Sequence, residues 1–345
     1  LKCSSLLAFA QCAWSAMDLH FAPAPAIAPR SDDESARWEI IGAFARWTSF
    51  WVVLFYVLGF TMPCLAGWIL QSSKAHENNR HWAARNVLGI VHAVIVCGLI
   101  LPPLVIMLNA PDNVRFGAAD FLGTCASATY PDYNRTGQAI ALGGLVFSAF
   151  IFADVVISML HGLATLDYYV HHAVFLVAGV IIRGHCMLPL NAAILLSMEA
   201  STPFLNFMLL FRNRGPRYTF AVRVTGILFV VLFVAFRLAL NTYGAILLWR
   251  SRDFAYPDGV PRWQSMFLLG AVQVGSALQF YWFPAIAKTF GKGILELFSG
   301  SAGKTSSKNG STANGGRPAG MEKAADSRKG NGSRSEEGLS KAKVS

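Results

Sequence analysis

The chain has 345 residues, of which 54% are hydrophobic and only 14% charged, with a mean hydropathy of +0.44; soluble domains carry about 25% charged residues, so an ordinary soluble globule is excluded and lipid is the implied solvent. The 29 Lys+Arg outnumber 19 Asp+Glu, but nine of the basic residues lie beyond Phe298 and others flank apolar runs, which excludes a nucleic-acid surface. Six scattered cysteines without CxxC spacing exclude a zinc ribbon or a dense disulfide framework and leave room for one bridge, such as Cys12–Cys125.

In chain order, "SSLLAFAQCAWSA" has the apolar centre of a signal sequence, but Lys2 is its one preceding charge and its cleavage site is poor. "APAPAIAPRSDDES" follows as a Pro/Ala linker running into a charged stretch, so residues 1–43 read as an N-terminal segment. About 20 apolar residues carry a helix across a bilayer core. Seven segments qualify, at about 44–70, 87–108, 139–160, 169–185, 188–211, 221–248 and 265–287. The expected fold is all-α, a multi-pass transmembrane helical bundle of about seven spans. Trp47, Trp51 and Trp68 suit interfacial positions on the first. The fourth and fifth are the least apolar and hold most of the unusual polar residues. Residues 44–78 form the first span and its loop, 79–293 the other six, and 294–345 a basic Gly/Ser-rich tail. That tail has too little apolar surface to offset ordering entropy and is expected to be disordered.

Outside the tail, the Lys and Arg counts on the two sides tie. "RNRGPRYTFAVR" nevertheless packs four arginines into one short loop on the tail's side, which favours a cytosolic C-terminal tail. Asn134-Arg135-Thr136 is a glycosylation acceptor pattern between spans two and three, lumenal under that orientation.

Ionisable groups at membrane depth are costly and mark candidate sites. Here they are His92, Asp154, His171 with His172, Glu199 and Arg237, on spans two to six. In "LDYYVHHAVFLVAGVIIRGH", Asp167 lies four residues before His171, where helical side chains meet. Such a carboxylate holds one imidazole tautomer and leaves the other nitrogen as a base; Tyr168 stands in the same relation to His172. Asp167, His171 and His172 are thus the candidate catalytic residues. The plainer alternative is a pair of interfacial histidines satisfied by water and neighbouring helices.

In "LLSMEASTPFLNFMLLF", Pro203 has no amide for the carbonyl of Glu199, so a kink is expected there, beside Ser201, Thr202 and Asn206. These residues, with His92, Asp154 and Arg237, are candidates for a buried polar or lipid-binding cavity. Arg237 needs an acidic partner, either Asp154 or Glu199. Asp154, Ser158 and His161 make a polar stripe on span three. His92 stands alone, a pattern more usual for a satisfied core histidine than for a ligand. No histidines at helical zinc-site spacing point to a metal.

Several of these blocks occur together: "RHWAARNVLGIVHA" with Trp82, Arg85 and His92; Asp154 in "FSAFIFADVV"; "YVHHAVF"; Glu199, Ser201, Thr202, Pro203 and Asn206 in "MEASTPFLNFMLLF"; Arg237 in "FVAFRLAL"; and "LQFYWFPAIAK". In that order they resemble the TLC-domain family, which groups translocating-chain-associating membrane proteins, ceramide synthases and smaller lipid-homeostasis proteins. The resemblance covers about residues 79–293. It implies a protein of the endoplasmic reticulum or another endomembrane, with a lipid-accessible cavity, membrane lipids as partners and no resident cofactor.

In ceramide synthases a histidine pair is implicated in moving a fatty acyl group from coenzyme A to a sphingoid-base amine. On this chain that role falls to His171 and His172, with acyl-CoA as co-substrate. Ceramide synthases continue into a His-Asp…Asp cluster, whereas no aspartate occurs here between His172 and Glu199. The chain therefore looks closer to the small lipid-homeostasis members. The expected function is binding or sensing of acyl-chain lipids in an intramembrane cavity, with acyl-CoA-dependent N-acyl transfer as the alternative. A receptor or channel fits less well, since span seven has no mid-membrane lysine or NPxxY-like block.

Overall fold

The computed structural model describes residues 33–69, 80–117, 125, 129–212 and 214–298. The signal-like segment, Cys12, the side chain of Trp68 and the tail beyond Phe298 lie outside the described residues. Among the described residues, seven helices are long and apolar enough to cross a membrane, as the sequence leads one to expect. α1 (Asp33–Ile69), α2 (Arg80–Leu108), α3 (Asn134–His161) and α4 (Leu166–His185) are continuous. α5 comprises Pro189–Ser197 and Thr202–Phe211, joined by a 3-10 turn at Met198–Ser201. α6 comprises Thr219–Leu232 and Asn241–Arg250 on either side of a π segment, Phe233–Leu240. α7 is Arg262–Phe298. The fourth span is the least apolar, at a mean hydropathy of 1.2, but the seventh, at 1.3, falls below the fifth, at 1.5.

Local chemistry sets the breaks. α3 stops at Gly162, whose φ of 61° is the left-handed conformation that glycine adopts freely; its amide and that of Leu163 return to the Ser158 carbonyl. The α4–α5 corner turns through Cys186 and Leu188, at φ 50° and 52°, before Pro189 opens α5. Non-glycine residues resist that region, and here a covalent tie holds the corner: Cys186 is bridged to Cys125, with Cα atoms 5.1 Å apart. This corrects the Cys12–Cys125 expectation. Spacing along the chain could not show that the α2–α3 loop and the end of α4 meet at the same end of the bundle.

The helices close a ring. α2 packs on α3, α3 on α4, α4 on α7, α7 on α6, α6 on α5 and α5 back on α2, while α1 lies outside it against α2 and α3. Trp51 and Phe55 of α1 are fully buried in that seam. Trp51 meets His92 and Phe150 edge-on, with centroids 5.7 and 5.5 Å away, so it is a core residue rather than an interfacial anchor. It is core because α1 lies in the seam between α2 and α3.

α2 and α3 approach closely at Gly143, where an added Cβ would come 2.5 Å from Ile100 Cδ1. Gly143→Val is expected to cost about 1–3 kcal/mol by overpacking. Gly144→Val, whose Cβ meets nothing within 4 Å, should stay within about 0.5 kcal/mol of wild type. Thermal unfolding of both variants in lipid nanodiscs checks the difference.

Candidate functional site

The six spans of the ring aim polar side chains at one chamber. Arg85 and His92 come from α2, Asp154 from α3, Tyr168, His171 and His172 from α4, Glu199, Thr202 and Asn206 from α5, Arg237 from α6 and Gln279 from α7; they line a cavity of about 360 Å³. It lies in the half of the bundle where α2 begins and α3 ends. Of the candidate residues, Ser201 is buried behind the wall and Asp167 is exposed outside it.

Two arginine–carboxylate pairs organise the chamber. Arg85 donates from Nε to Asp154 Oδ1 at 2.7 Å and from Nη2 to Oδ2 at 3.1 Å, a bidentate fork. Its third nitrogen, Nη1, donates to the Leu163 carbonyl at 3.3 Å, and the guanidinium lies over the Tyr168 ring at 4.6 Å. The Tyr168 hydroxyl donates to Asp154. Asp154 is therefore matched by Arg85, a residue that enters the sequence reading only as part of a motif. The apolar helix begins at His81 rather than at about 87, which puts Arg85 at membrane depth.

The second pair joins Arg237 to Glu199, with Nη2 3.9 Å from Oε1, and decides the choice left open above. A single missing hydrogen explains the local geometry. In a regular helix the amides of 202 and 203 would reach the carbonyls of 198 and 199. Pro203 has no amide, so the turn tightens and the Thr202 amide bonds the Glu199 carbonyl instead. The Glu199 carbonyl is thus not freed, and the Met198 carbonyl accepts from the Ser201 hydroxyl at 3.1 Å. Arg237 clamps this turn: Nε donates to Met198 O at 3.3 Å and to Ser201 Oγ at 3.0 Å, and Nη2 donates to Thr202 Oγ1 at 3.3 Å. Arg237 itself stands on the π segment, whose wider turn re-aims side chains and recurs at functional sites.

The histidines divide. His172 Nδ1 lies 2.9 Å from the carbonyl of Tyr168. A carbonyl only accepts, so Nδ1 holds the proton and Nε2 is the acceptor nitrogen of the neutral ring. The Tyr168 hydroxyl turns to Asp154, so it does not serve His172 as the spacing suggests. Nor is the Asp167–His171 dyad formed, because Asp167 sits in the exposed first turn beside Thr165, and the His171 ring packs edge-on against Phe175 and Trp282. The two lie on neighbouring faces of α4 and interact only through space, Asp167 from the exposed first turn and His171 from the chamber wall. His92 is 1% exposed, stacks on Phe150 at 3.7 Å and has no hydrogen-bond partner for either nitrogen. Its Nδ1 lies 4.0 Å from Glu199 Oε2. It is not the satisfied core histidine that its isolation suggests.

The span-three stripe splits. Asp154 faces the chamber, while His161 stacks on His81 at 4.0 Å outside it. Asn134 does not sit in a loop but opens α3, with Thr136 of its acceptor pattern buried. Among the described residues, no three His, Cys, Asp or Glu side chains are grouped to hold a metal.

A second cavity, of about 150 Å³, lies towards the disulfide end. It shares Phe147, Phe175 and Leu195 with the polar chamber, and the two phenylalanine rings meet edge-on at 6.0 Å. These three side chains form an apolar partition between the two spaces.

A family model described as the TLC domain matches residues 46–288. The match takes in the first membrane helix, which the motif resemblance from residue 79 did not reach. No curated protein and no solved structure matches the chain.

Proposed function

The chain belongs to the TLC-domain family, and from that premise we propose that this integral membrane protein serves lipid homeostasis by binding an acyl-chain lipid inside its helical ring. One observation carries the reading: ionisable residues from five spans converge on a chamber of about 360 Å³ that abuts an apolar cavity across Phe147, Phe175 and Leu195. Ionisable groups at membrane depth are retained where a polar cavity or a partner receives them, and the volume is that of a small-molecule site. A polar chamber next to an apolar one suits an amphiphile. The small lipid-homeostasis branch of the family is the placement we favour, because the aspartates of the acyl-transfer motif are missing. An endomembrane location follows from the same placement.

The test is photocrosslinking of a diazirine-bearing acyl-chain lipid to the reconstituted protein. Labelled peptides are expected to contain Phe147, Phe175 or Leu195. Labelling confined to the outward faces of the helices would refute the proposal.

One observation favours a second reading, acyl-CoA-dependent N-acyl transfer: His172 presents a preset acceptor nitrogen within the chamber, as a general base requires. Labelled acyl-CoA and a sphingoid base separate the readings. The binding reading expects no product. Product that disappears in the His171→Ala, His172→Ala double variant would establish transfer.

A further inference from the structure

We infer that the polar chamber selects lipids with an uncharged head group that carries an N–H or O–H donor, over lipids headed by a carboxylate or phosphate. This rests on the lipid-binding reading and narrows it to a ligand class. Four charged side chains line the chamber, namely Arg85, Asp154, Glu199 and Arg237, and their formal charges cancel. Each cation is already engaged by the protein. Arg85 holds both oxygens of Asp154 and the Leu163 carbonyl. Arg237 faces Glu199 and donates to Met198, Ser201 and Thr202. The histidine rings are mostly uncharged at neutral pH. An anionic head entering this space would leave water without meeting a free cation, and burying a charge without a partner is strongly unfavourable.

The groups that do lack partners are neutral. Gln279 is 2% exposed and its Oε1 is an acceptor with no donor; His92 is 1% exposed with both ring nitrogens unbonded. A neutral imidazole offers one donor and one acceptor. Together these two residues, on α7 and α2, ask for a ligand that donates at least once and can also accept. A primary amide or a hydroxyl satisfies both; a carboxylate or phosphate only accepts. Asn206, also on the wall, adds a side-chain amide of the same neutral character.

The experiment uses the full chain in phosphatidylcholine nanodiscs carrying a photoactivatable acyl-chain probe. Four competitors share one oleoyl chain: oleamide, monooleoylglycerol, oleate and oleoyl lysophosphatidate, at a pH where oleate is ionised. The neutral pair is expected to displace the probe at least about tenfold better than the anionic pair. Glu199→Gln leaves Arg237 unmatched and is expected to reverse the order of oleamide and oleate. Gln279→Leu removes the orphaned acceptor and should weaken oleamide severalfold without changing oleate. Equal or better competition by the anions in the wild type overturns the inference alone, as does an unchanged order in a folded Glu199→Gln variant. If Glu199→Gln does not fold, the wild-type order still decides. A probe that does not bind overturns the lipid-binding reading and this inference with it.

Discussion

Arg85→Leu is expected to destabilise the protein by about 3 kcal/mol, the lower end of the range for breaking a buried ion pair. The Asp154 side chain is 6% exposed and that of Arg85 21%. Removing the guanidinium strands a carboxylate whose two oxygens had accepted its fork, with only the Tyr168 hydroxyl left to it. Loss of the Leu163 contact also frees the α3–α4 connection, which Arg85 ties to α2. The lower end is chosen because the pair borders a cavity, where solvent access softens the penalty. Arg85→Leu combined with Asp154→Leu should recover more than half of the loss, because no buried charge is then left unpaired. Equilibrium unfolding of the single and double variants in nanodiscs measures this coupling directly. A double variant less stable than either single would mean that the two residues act separately, and the pairing drawn above would be wrong.

Breaking the Cys125–Cys186 bridge is expected to cost a comparable amount, about 4 kcal/mol by the chain-entropy relation for partners 61 residues apart. The bridge also holds Cys186 and Leu188 in the left-handed region at the α4–α5 corner, so relaxation of that corner in the reduced state offsets part of the loss. The paired Cys125→Ser, Cys186→Ser variant should unfold at a clearly lower temperature than wild type, and a reductant should shift wild type to match it. An unchanged midpoint in both would show that the bridge does not form in the protein.

The same bond bears on orientation. Disulfides persist in oxidising compartments, and Cys125 and Cys186 lie at the end of the bundle opposite to the C-terminal end of α7. Cys64, free and exposed, lies in the last turns of α1, at the same end of the bundle as the end of α7. We therefore keep the tail on the cytosolic side as our proposal. In sealed vesicles, a membrane-impermeant maleimide should modify Cys64 from the tail's side without reductant. Cys125 and Cys186 should react only after reduction and only from the other side.

Legibility differed by residue. The kink at Glu199 follows from Pro203, since a missing amide is a local fact. The consequence one hydrogen bond further on, a Met198 carbonyl taken by Arg237, needed α6 beside α5. Asp167 and His171 have the right separation for contact, yet only the packing of α4 shows which of them faces the ring. His92 looks bland in its own helix and becomes an unpartnered group only beside Glu199. Trp51 reads as an anchor by residue type and proves to be core, because α1 lies against α2 and α3. Nothing along the chain announces the π segment that carries Arg237.

The amino-acid sequence by itself determined the class: seven apolar stretches long enough to span a bilayer, the polar residues they carry, and the motif order of a TLC domain. Those properties are sums over neighbouring residues and need no partner. Only the tertiary structure decided that Arg85 takes Asp154, that Arg237 takes Glu199 and that Cys125 takes Cys186. Each successive residue turns a helix by about 100°, so which side chains meet depends on how whole helices are rotated against one another, and packing around the ring sets that rotation.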